Sequence, residues 1–532
     1  MAWKSDRKIG PFTYALLYGV ATLILYQGPL LGYVLGQMDP FSAEGLAILW
    51  LIQILPLTLT VFLMTLMGLI WPLAMKIVCA VLFVANATAS YFMANYGTMM
   101  SKDVVLNILD FHGETVLGLM HPALFLNIFL FGVIPAVLAL IVPVDRGRLF
   151  RQAGGLIGIA IVSVASVWAA SSVWLWFDEH NSQIGPRILP WGYIGNALRV
   201  NADNRALNAR AIPLPDPSLR PLPAERTIVV LVIGEAARRD HLGQYGYPRD
   251  TAPFTRGLGV RALNDGMSCT TFTYGSVDCI FAAEGAEMRS NAATEPLPDY
   301  VLRAGIPVLY RSNDGLPRRS RVPVEVATSI AESCLDPECP DPYHDGILLH
   351  GLDAQLAAMG ERELVILHLH GSHGPDYYRR YPPEFEAFSP VCESVSLSDC
   401  TPENLVNAYD NSIRYTDYLL AEVIGMLDAL PDTQALLLYV SDHGQSLGEN
   451  GVYLHGLPNA IAPDVQRIIP YLVWMDEDFI AGRGIDTARL PTSVAAPQDT
   501  IFHTVLGALG IDSPAYQASH DLFQRNQEGR EP

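Results

Sequence analysis

The segment TIVVLVIG, residues 227–234, has the length and composition of a buried strand and runs directly into Glu235. Three more apolar runs of strand length occur later in the chain: PVLYR (307–311), LVILHLH (364–370) and ALLLYV (435–440). None of the four runs alternates polar with apolar residues, which indicates that both faces of each strand are buried, as in a parallel sheet covered by helices. Helical patterns lie between the runs, so this part of the chain is predicted to form an α/β sandwich.

The clearest of these helical patterns lies between the last two strands. It runs from Pro402 to about Leu430. Thr401 is its predicted N-cap and Pro402 occupies its first position, where proline is well tolerated.

Side chains that bind metals follow three of the four strands. Glu235 follows the first strand, His373 comes shortly after the third, and Asp442 and His443 come just after the fourth. Ligands of open α/β sheets bind outside the carboxyl ends of the strands, so we expect these groups to converge at one edge. Carboxylate oxygens and an imidazole nitrogen suit a zinc ion. The alternative for Asp442 and His443 is an ordinary surface turn.

Residues 268–279, SCTTFTYGSVDC, are rich in hydroxyl groups and are the candidate source of a nucleophile. A helix is predicted over 276–290, and a threonine near its start would lie beside free backbone N–H groups, which suit a bound phosphate. A threonine hydroxyl becomes a good nucleophile only when a metal or a base lowers its pKa. The alternative is a serine- and threonine-rich surface loop, and composition alone does not decide between the two.

Composition limits the class of protein. The chain has 532 residues, a formal net charge of −20 and a mean hydropathy of +0.24. The length is natural for two or three domains. The acidic balance argues against a nucleic-acid-binding protein, which needs a basic surface.

Six of the seven cysteines form three close pairs in the second half of the chain: Cys269 with Cys279, Cys334 with Cys339, and Cys392 with Cys400. Even pairing at short spacing favours disulfides and an oxidising compartment. Structural zinc sites are the alternative, but no pair has the two-residue spacing common in such sites. The seventh cysteine, Cys79, lies inside an apolar run.

Five apolar stretches in the first third of the chain are long enough to cross a bilayer as helices, which takes about 20 residues each. They cover residues 14–35, 45–69, 73–96, 124–144 and 155–176. The first stretch is too long for a cleaved signal peptide and is predicted to be retained.

Basic residues predict the orientation of these spans through the positive-inside rule. They lie in the N-terminal segment and in the second and fourth connections: Lys4, Arg7, Lys8, Lys76, Arg146, Arg148 and Arg151. With five spans, these segments share one side of the membrane. The N-terminus is therefore expected in the cytoplasm and the chain after the last span outside it, which agrees with the expected disulfides.

The predicted organisation has three parts. Residues 1–178 form a transmembrane domain of five helices, residues 179–225 an interfacial helix and a proline-rich linker, and residues 226–532 the catalytic domain. Trp191 and Tyr193 in the interfacial helix are expected near the lipid head groups.

The connection over residues 97–122 carries Asn107, Asp110 and Glu114 among apolar residues. It is predicted to lie at the outer interface as an amphipathic segment. One interpretation is that it shapes a site for a lipid head group, and the other is a simple surface helix.

Five longer motifs, taken together, indicate a resemblance to a known family. They are GEAARRDHLGQYGYPRDTAPF (234–254), SCTTFTYGSVDCIF (268–281), HLHGSHGPDYYRRYP (368–382), NAYDNSIRYTD (407–417) and YVSDHGQSLGENGVYLHGLPNAIAP (439–463). With the five predicted spans and three cysteine pairs, the chain resembles the lipid A phosphoethanolamine transferases, which include the polymyxin (colistin) resistance enzymes. The resemblance implies a five-helix transmembrane bundle and a sulfatase/alkaline phosphatase-like α/β domain with a mostly parallel central sheet.

The resemblance also implies roles for individual residues. Glu235, Thr273, Asp442 and His443 would ligate a catalytic zinc ion, and Thr273 would be the nucleophile. A second group would bind the substrate: Asn107, Glu114, Arg318, His373 and His455. Of these, His373 and His455 would contact the transferred phosphate or handle protons, with one zinc ion bound or two.

The implied reaction moves phosphoethanolamine from phosphatidylethanolamine to lipid A or another envelope glycan through a phosphothreonine, releasing diacylglycerol. The enzyme would be a monomer in the bacterial inner membrane with its catalytic domain in the periplasm. A hydrolase and a glycerol-phosphate transferase of the same fold are alternatives, as is a non-catalytic membrane scaffold, which would be expected to have lost a metal ligand.

Four positions depart from the family pattern. Arg318 stands where the family has lysine, Asp278 where it usually has proline, Phe111 where it usually has threonine, and Asn459 where an aromatic residue is common. Arginine keeps the charge of lysine but not its geometry. None of the four is a predicted metal ligand, so they bear on donor and acceptor binding rather than on the reaction type.

Overall fold

The computed structural model describes residues 8–109, 121–170, 173–207, 211–264, 266–287, 294–334, 339–488, 490 and 497–524. The described residues divide into two compact units, one ending at Val200 and the other beginning at Asn201.

The first unit is helical. Its helices are α1 (Pro11–Tyr26), α2 (Gly28–Gln37), α3 (Ala43–Ile70), α4 (Pro72–Tyr96), α5 (Lys102–Leu109), α6 (Pro122–Ile141), α7 (Leu149–Ala169) and α8 (Trp174–Ile184), followed by α9 (Trp191–Leu207). Within the described residues, α3, α4, α6 and α7 are each long and apolar enough to cross a membrane, and α1 with α2 form a bent pair that passes the same test together. The unit therefore has the helical transmembrane architecture predicted from the sequence.

The first and last predicted spans differ from the structure in detail. The first, residues 14–35, is broken at Gln27 with a bend of 62° between α1 and α2. Pro29, at the start of α2, lacks the N–H that would continue the helix. The last begins earlier than expected, because the buried side chain of Gln152 accepts a hydrogen bond from the Phe12 N–H (2.8 Å) and holds the first turns of α7.

Trp191 and Tyr193 bond to helices of the same unit. The Trp191 indole donates to Thr60 Oγ1 (3.0 Å) on α3, and the Tyr193 hydroxyl donates to Asn86 Oδ1 (3.0 Å) on α4. Both bonds go to buried polar side chains. The expectation that the two residues lie near the lipid head groups stays a prediction.

The second unit is built on a central sheet of seven strands in the order β3-β10-β7-β2-β6-β4-β5. The strands of the unit are β1 (Ser218–Leu219), β2 (Arg226–Gly234), β3 (Arg261–Ala262), β4 (Val308–Ser312), β5 (Val324–Val326), β6 (Arg362–His368), β7 (Thr433–Ser441), β8 (Ser446–Leu447), β9 (Tyr453–Leu454), β10 (Tyr471–Met475) and β11 (Ile511–Asp512). Strands β7, β2, β6, β4 and β5 are parallel, and β10 is antiparallel to both neighbours. Every residue of β7 is buried, as the absence of alternation predicted.

Helices cover this sheet: α10 (Thr273–Ile280), α11 (Leu297–Arg303), α12 (Ala327–Ser333), α13 (Leu352–Ala358), α14 (Pro402–Asp428), α15 (Glu477–Arg483) and α16 (Thr500–Leu509). Helix α14 begins as predicted, with the Thr401 hydroxyl accepting from the Asn404 N–H (3.2 Å). The helix expected over 276–290 is wrong in its bounds, because α10 begins three residues earlier and ends at Ile280. The chain then turns at Gly285, whose φ of 52° and close approach to Asp499 leave no room for a side chain.

Candidate functional site

Four parallel strands end at the same level of the sheet. Ile233 on β2 and Ser312 on β4 both pair with His368 on β6, and Gly234 on β2 pairs with Ser441 on β7. The residues that follow these four strands therefore reach one edge, where open α/β sheets bind their ligands.

Glu235, Thr273, Asp442 and His443, which we name the metal cluster, meet at this edge. The Thr273 hydroxyl donates to Glu235 Oε2 at 3.0 Å. His443 Nε2 lies 3.3 Å from Glu235 Oε1 and 3.2 Å from Asp442 Oδ2. The two carboxylates and the imidazole are completely buried. The structure thus brings together the four side chains predicted as ligands.

The atoms of the metal cluster fit a divalent cation. His443 Nδ1 donates to the Gly444 carbonyl (2.9 Å), which leaves Nε2 turned toward the two carboxylates. Glu235 Oε1, Asp442 Oδ2 and His443 Nε2 have no hydrogen-bond partner among the described residues. Three converging buried acceptors without a donor would be strongly unfavourable alone, and nitrogen and oxygen ligands suit zinc.

Burial, followed by repulsion from Asp442 and Asp314, raises the pKa of Glu235 well above its usual value. Asp442 is fixed through its other oxygen, Oδ1, which accepts from the backbone N–H groups of Ala236 (3.0 Å) and His443 (2.6 Å). The orientation of the cluster is therefore set by the backbone around it.

Two residues beside the site have strained backbones. Ala236, directly after Glu235, has a φ of 55°, and Leu454, directly before His455, has a φ of 65°. The left-handed region is unfavourable for both residue types. The Tyr409 hydroxyl donates to the Ala236 carbonyl (2.7 Å), and this hydrogen bond helps to maintain the strained conformation.

The loop that carries Thr273 is held at several points. Thr273 is the first residue of α10, and the Cys269–Cys279 disulfide joins the loop to this helix. The Cys269 N–H donates to Gln498 Oε1 (2.9 Å), and its carbonyl accepts from Asn459 Nδ2 (2.6 Å). Asn459, one of the departures from the family pattern, thus supports the loop that carries Thr273.

His373 and His455 lie beside the metal cluster. The His455 ring centroid is 4.1 Å from that of His443 and 5.3 Å from that of His373. Gln445, which the sequence analysis missed, orients His455 by accepting from its Nδ1 (2.8 Å) and donating to the Tyr377 hydroxyl (2.7 Å). Burial is the main cause that lowers the pKa values of His373 and His455 well below the usual range, so both rings are neutral at pH 7.

A second set of polar residues at the edge was also missed. Asp314 follows β4, and its Oδ1 lies 2.7 Å from Nδ1 of His370, which follows β6. Asp345 accepts from the backbone N–H groups of His370 and Gly371 (2.8 Å each), tying this turn in place. The sequence signal was present, because the segment SNDG directly follows the predicted strand PVLYR.

Arg318 packs against Tyr274, the residue after Thr273, with its guanidinium carbon 5.4 Å from the ring centroid of Tyr274. Asp278 forms an ion pair with Arg319 at 3.2 Å, which gives this departure from the family pattern a structural role. Asn107 lies in α5, but its side chain, like the whole of Glu114 and Phe111, falls outside the described residues.

All three predicted disulfides are formed, with Cα–Cα distances of 6.4, 6.1 and 5.7 Å in chain order. These cysteines therefore do not form structural zinc sites. Cys79 is a buried thiol in the helical unit.

Comparisons with known proteins agree with this architecture. Residues 227–511 match the sulfatase family model, and residues 58–204 match the model of phosphoethanolamine transferase EptA/EptB. The chain is 35% identical to the phosphoethanolamine transferase EptA of Helicobacter pylori over 97% of its own length and 96% of that protein. It is 34% identical to the phosphatidylethanolamine transferase Mcr-1 of Escherichia coli over 76% of its length and 79% of the relative.

A solved structure extends the similarity to both units. The integral membrane lipooligosaccharide phosphoethanolamine transferase A of Neisseria meningitidis superposes with a TM-score of 0.87 at 29% identity, covering 97% of this chain and 99% of that one. Identity above 30% over nearly the whole length, with both domain models matched, establishes the relationship. The chain therefore belongs to the EptA/EptB family of phosphoethanolamine transferases.

Proposed function

We propose that the protein transfers phosphoethanolamine from phosphatidylethanolamine to lipid A, or to a related envelope glycan, through a phosphothreonine at Thr273. The observation that carries the proposal is the position of the Thr273 hydroxyl, which donates to Glu235 Oε2 at 3.0 Å. It lies beside the three atoms of the metal cluster that have no hydrogen-bond partner among the described residues. A hydroxyl placed among metal ligands and at the start of a helix is suited to attack phosphorus.

The metal cluster would hold one zinc ion, and the number of further ions is open. When bound, zinc lowers the pKa of the threonine hydroxyl and stabilises negative charge on the phosphate oxygens.

The first half-reaction exchanges one phosphorus–oxygen bond for another. The Thr273 oxygen bonds to phosphorus, the bond to the glycerol oxygen breaks, and the threonine proton ends on the departing diacylglycerol. In the second half-reaction an acceptor hydroxyl or phosphate attacks the same phosphorus and Thr273 regains a proton.

His455 would carry these protons. Its Nδ1–H is used by Gln445, so that Nε2 of the neutral ring has a lone pair. The lowered pKa keeps this ring neutral before the reaction, and a proton that it takes up is readily passed on. His373 and Arg318 would contact the phosphate, and Asn107 and Glu114 the head group of the donor lipid.

The membrane context supports this choice of substrates. The Neisseria relative is named for lipooligosaccharide and the Mcr-1 relative for phosphatidylethanolamine. Both classes of molecule are lipids, so anchoring the catalytic unit at a bilayer raises their effective concentration. The basic connections and the three disulfides favour a cytoplasmic N-terminus and a periplasmic catalytic domain in the bacterial inner membrane. The protein would act there as a monomer, as the resemblance implies.

The boundaries proposed for the functional parts are 1–178 for the transmembrane domain, 179–225 for the linker and 226–532 for the catalytic domain. If lipid A is the acceptor, the added amine offsets the charge of its phosphates and weakens the binding of cationic peptides such as polymyxin.

The test is intact mass spectrometry of the purified full-length protein after incubation with phosphatidylethanolamine vesicles. A single phosphoethanolamine adduct is expected on the wild type and on Ser268→Ala, a matched loss of hydroxyl in the same loop. No adduct is expected on Thr273→Ala. Release of free phosphoethanolamine with no transfer to added lipid A would instead show a hydrolase, and an adduct on Thr273→Ala would refute the assigned nucleophile.

A further inference from the structure

The last residue of β6 is a buried histidine without hydrogen-bond partners. His368 is 4% exposed, and neither Nδ1 nor Nε2 bonds to any residue in the described part of the chain. Leaving a buried polar group unpaired is unfavourable in proteins. None of the steps proposed above uses this imidazole, so its position needs another explanation.

The surroundings of His368 provide one. Its Nε2 lies 3.7 Å from Asp314 Oδ2, which is too long for a hydrogen bond. One ligand atom each from Glu235, Asp314 and His368 lies within 4.8 Å of the other two. Two ligands of one tetrahedral zinc ion are about 3.3–3.6 Å apart, given metal–ligand distances of about 2.0–2.2 Å. The 3.7 Å between His368 Nε2 and Asp314 Oδ2 is close to this spacing.

The metal cluster shows the same signature. There, the nitrogen-to-oxygen distances of 3.2 and 3.3 Å join atoms that also lack hydrogen-bond partners within the described chain. Asp314 is oriented as metal ligands usually are, since its other oxygen, Oδ1, is fixed by His370 Nδ1 at 2.7 Å.

Charge supports the same interpretation. Glu235, Asp314 and Asp442 are three neighbouring buried carboxylates. Burial first, and then repulsion from Asp442, raises the pKa of Asp314 to about 7. Burial lowers the pKa of His368, so that this imidazole is available as a neutral ligand. One zinc ion in the metal cluster balances two carboxylates and leaves the third without a counter-charge.

We propose that Glu235, Asp314 and His368 form a second site for a divalent cation of the zinc class, next to the metal cluster, with Glu235 shared between the two ions. The inference rests on the proposed function to the extent that Glu235 also serves the catalytic ion. The site is separate from the His373 and His455 pair. The second ion fixes Glu235 from another direction and balances the charge of Asp314.

The experiment counts metal ions in the full-length protein. Wild type, Asp314→Asn and His368→Asn are stripped with a chelator, reloaded with Zn²⁺ and desalted, and zinc per chain is measured by inductively coupled plasma mass spectrometry. His373→Asn is the matched control, because it removes an imidazole from the same edge but not from the proposed site. We expect both test variants to bind one ion fewer than wild type, and the His373→Asn control to bind as many ions as wild type.

Loading with Mn²⁺ provides a readout that a structural role would not change. Two ions that share Glu235 should be spin-coupled in the electron paramagnetic resonance spectrum of the wild type and of His373→Asn. The coupling should be lost in Asp314→Asn. This substitution preserves the shape of the side chain, so the test still stands if His368→Asn fails to fold.

The outcomes separate the two proposals. If the wild type binds one zinc ion and forms the Thr273 adduct, the second site is refuted and the proposed function stands. The second site is also refuted if neither test variant changes the zinc count. A wild type that binds no zinc and forms no adduct overturns the proposed function as well. A second zinc peak in anomalous scattering, between the three side chains, would confirm the site directly.

Discussion

Two buried polar regions of the catalytic unit contain similar residues but differ in how these are satisfied. The first is the edge of the sheet that carries the metal cluster. The second, which we name the helix cluster, surrounds Asp410 on α14. There, Asp410 accepts from His241 Nδ1 (2.6 Å), the Tyr247 hydroxyl (2.9 Å) and Arg249 Nη1 (2.7 Å).

Asp417, about two helical turns further along α14, is equally well satisfied. It accepts from the Thr255 hydroxyl (2.5 Å), the Phe254 N–H (2.7 Å) and Gln244 Nε2 (3.1 Å). At the sheet edge, by contrast, Glu235 and Asp442 each keep an oxygen without a partner among the described residues. The comparison teaches that a buried carboxylate with its own donors supports the fold, whereas one without donors marks a place for a ligand.

The largest effect is expected from removing the proposed nucleophile at the sheet edge. Thr273→Ala should lower the rate of phosphoethanolamine transfer by about 10⁴-fold or more, as loss of a covalent nucleophile does in other enzymes. Its melting temperature should stay within a few degrees of wild type. The measurement is transfer of labelled phosphoethanolamine, and a residual rate within tenfold of wild type would contradict the mechanism.

The next effect concerns the helix cluster and should appear in stability. Asp410→Asn breaks the ion pair with Arg249 and the hydrogen bond with His241, and should cost about 3–5 kcal/mol of unfolding free energy. The rate per folded molecule should change little. Chemical denaturation together with the transfer assay would measure both, and a large loss of rate at unchanged stability would remove the distinction between the two regions.

Zinc should stabilise the sheet edge. At a free zinc concentration of 100 times Kd, the wild type should gain about 2.7 kcal/mol over the chelated protein. Glu235→Gln should gain much less, and Asp410→Asn should gain as much as wild type. Thermal unfolding with and without chelator is the measurement, and an equal gain in Glu235→Gln would place the ion elsewhere.

Without metal, Glu235→Gln should be more stable than wild type, by about 1–3 kcal/mol, because it removes an unpaired buried charge. The folded-state pKa of Glu235 is raised, so the penalty is fully present at pH values above that pKa and disappears as the pH falls toward the unfolded value. The difference between variant and wild type should therefore shrink on acidification. A metal-free variant that is less stable at neutral pH would contradict this assignment.

The smallest effect is expected from Asn459→Ala, which removes one hydrogen bond to the nucleophile loop. It should cost about 1 kcal/mol of stability, the usual net contribution of such a bond. Asn459→Asp, which cannot donate to the Cys269 carbonyl, should behave similarly. Denaturant titration would detect this difference, and no loss in either variant would mean that the disulfide alone holds the loop.

The parallel sheet and the metal cluster could be predicted from the sequence because both follow from local pattern. Strand β2 contains an uninterrupted apolar run, and Glu235 directly follows its last residue. His368 could not be predicted as a site residue, because the sequence shows it only as part of an apolar strand. Its lack of partners depends on how β4 and β6 pack together.

Other differences have similar causes. The start of α10 at Thr273 depends on contacts of the preceding loop with Gln498, which lies far along the chain. The break between α1 and α2 depends on one proline within an apolar run that otherwise reads as a single helix. Long-range contacts and single backbone constraints of this kind are not visible in hydrophobic periodicity.

The left-handed residues Ala236 and Leu454 have a consequence for the speed and selectivity of ligand capture. Each immobilises the neighbouring side chain, Glu235 or His455, during folding rather than during binding. Little rearrangement is then left for the moment when an ion or a phosphate arrives, which favours tight and geometrically selective association. Replacing Ala236 by glycine would relieve local strain but widen the conformational range of the chain, and should make the site a more permissive receptor for ions of other sizes.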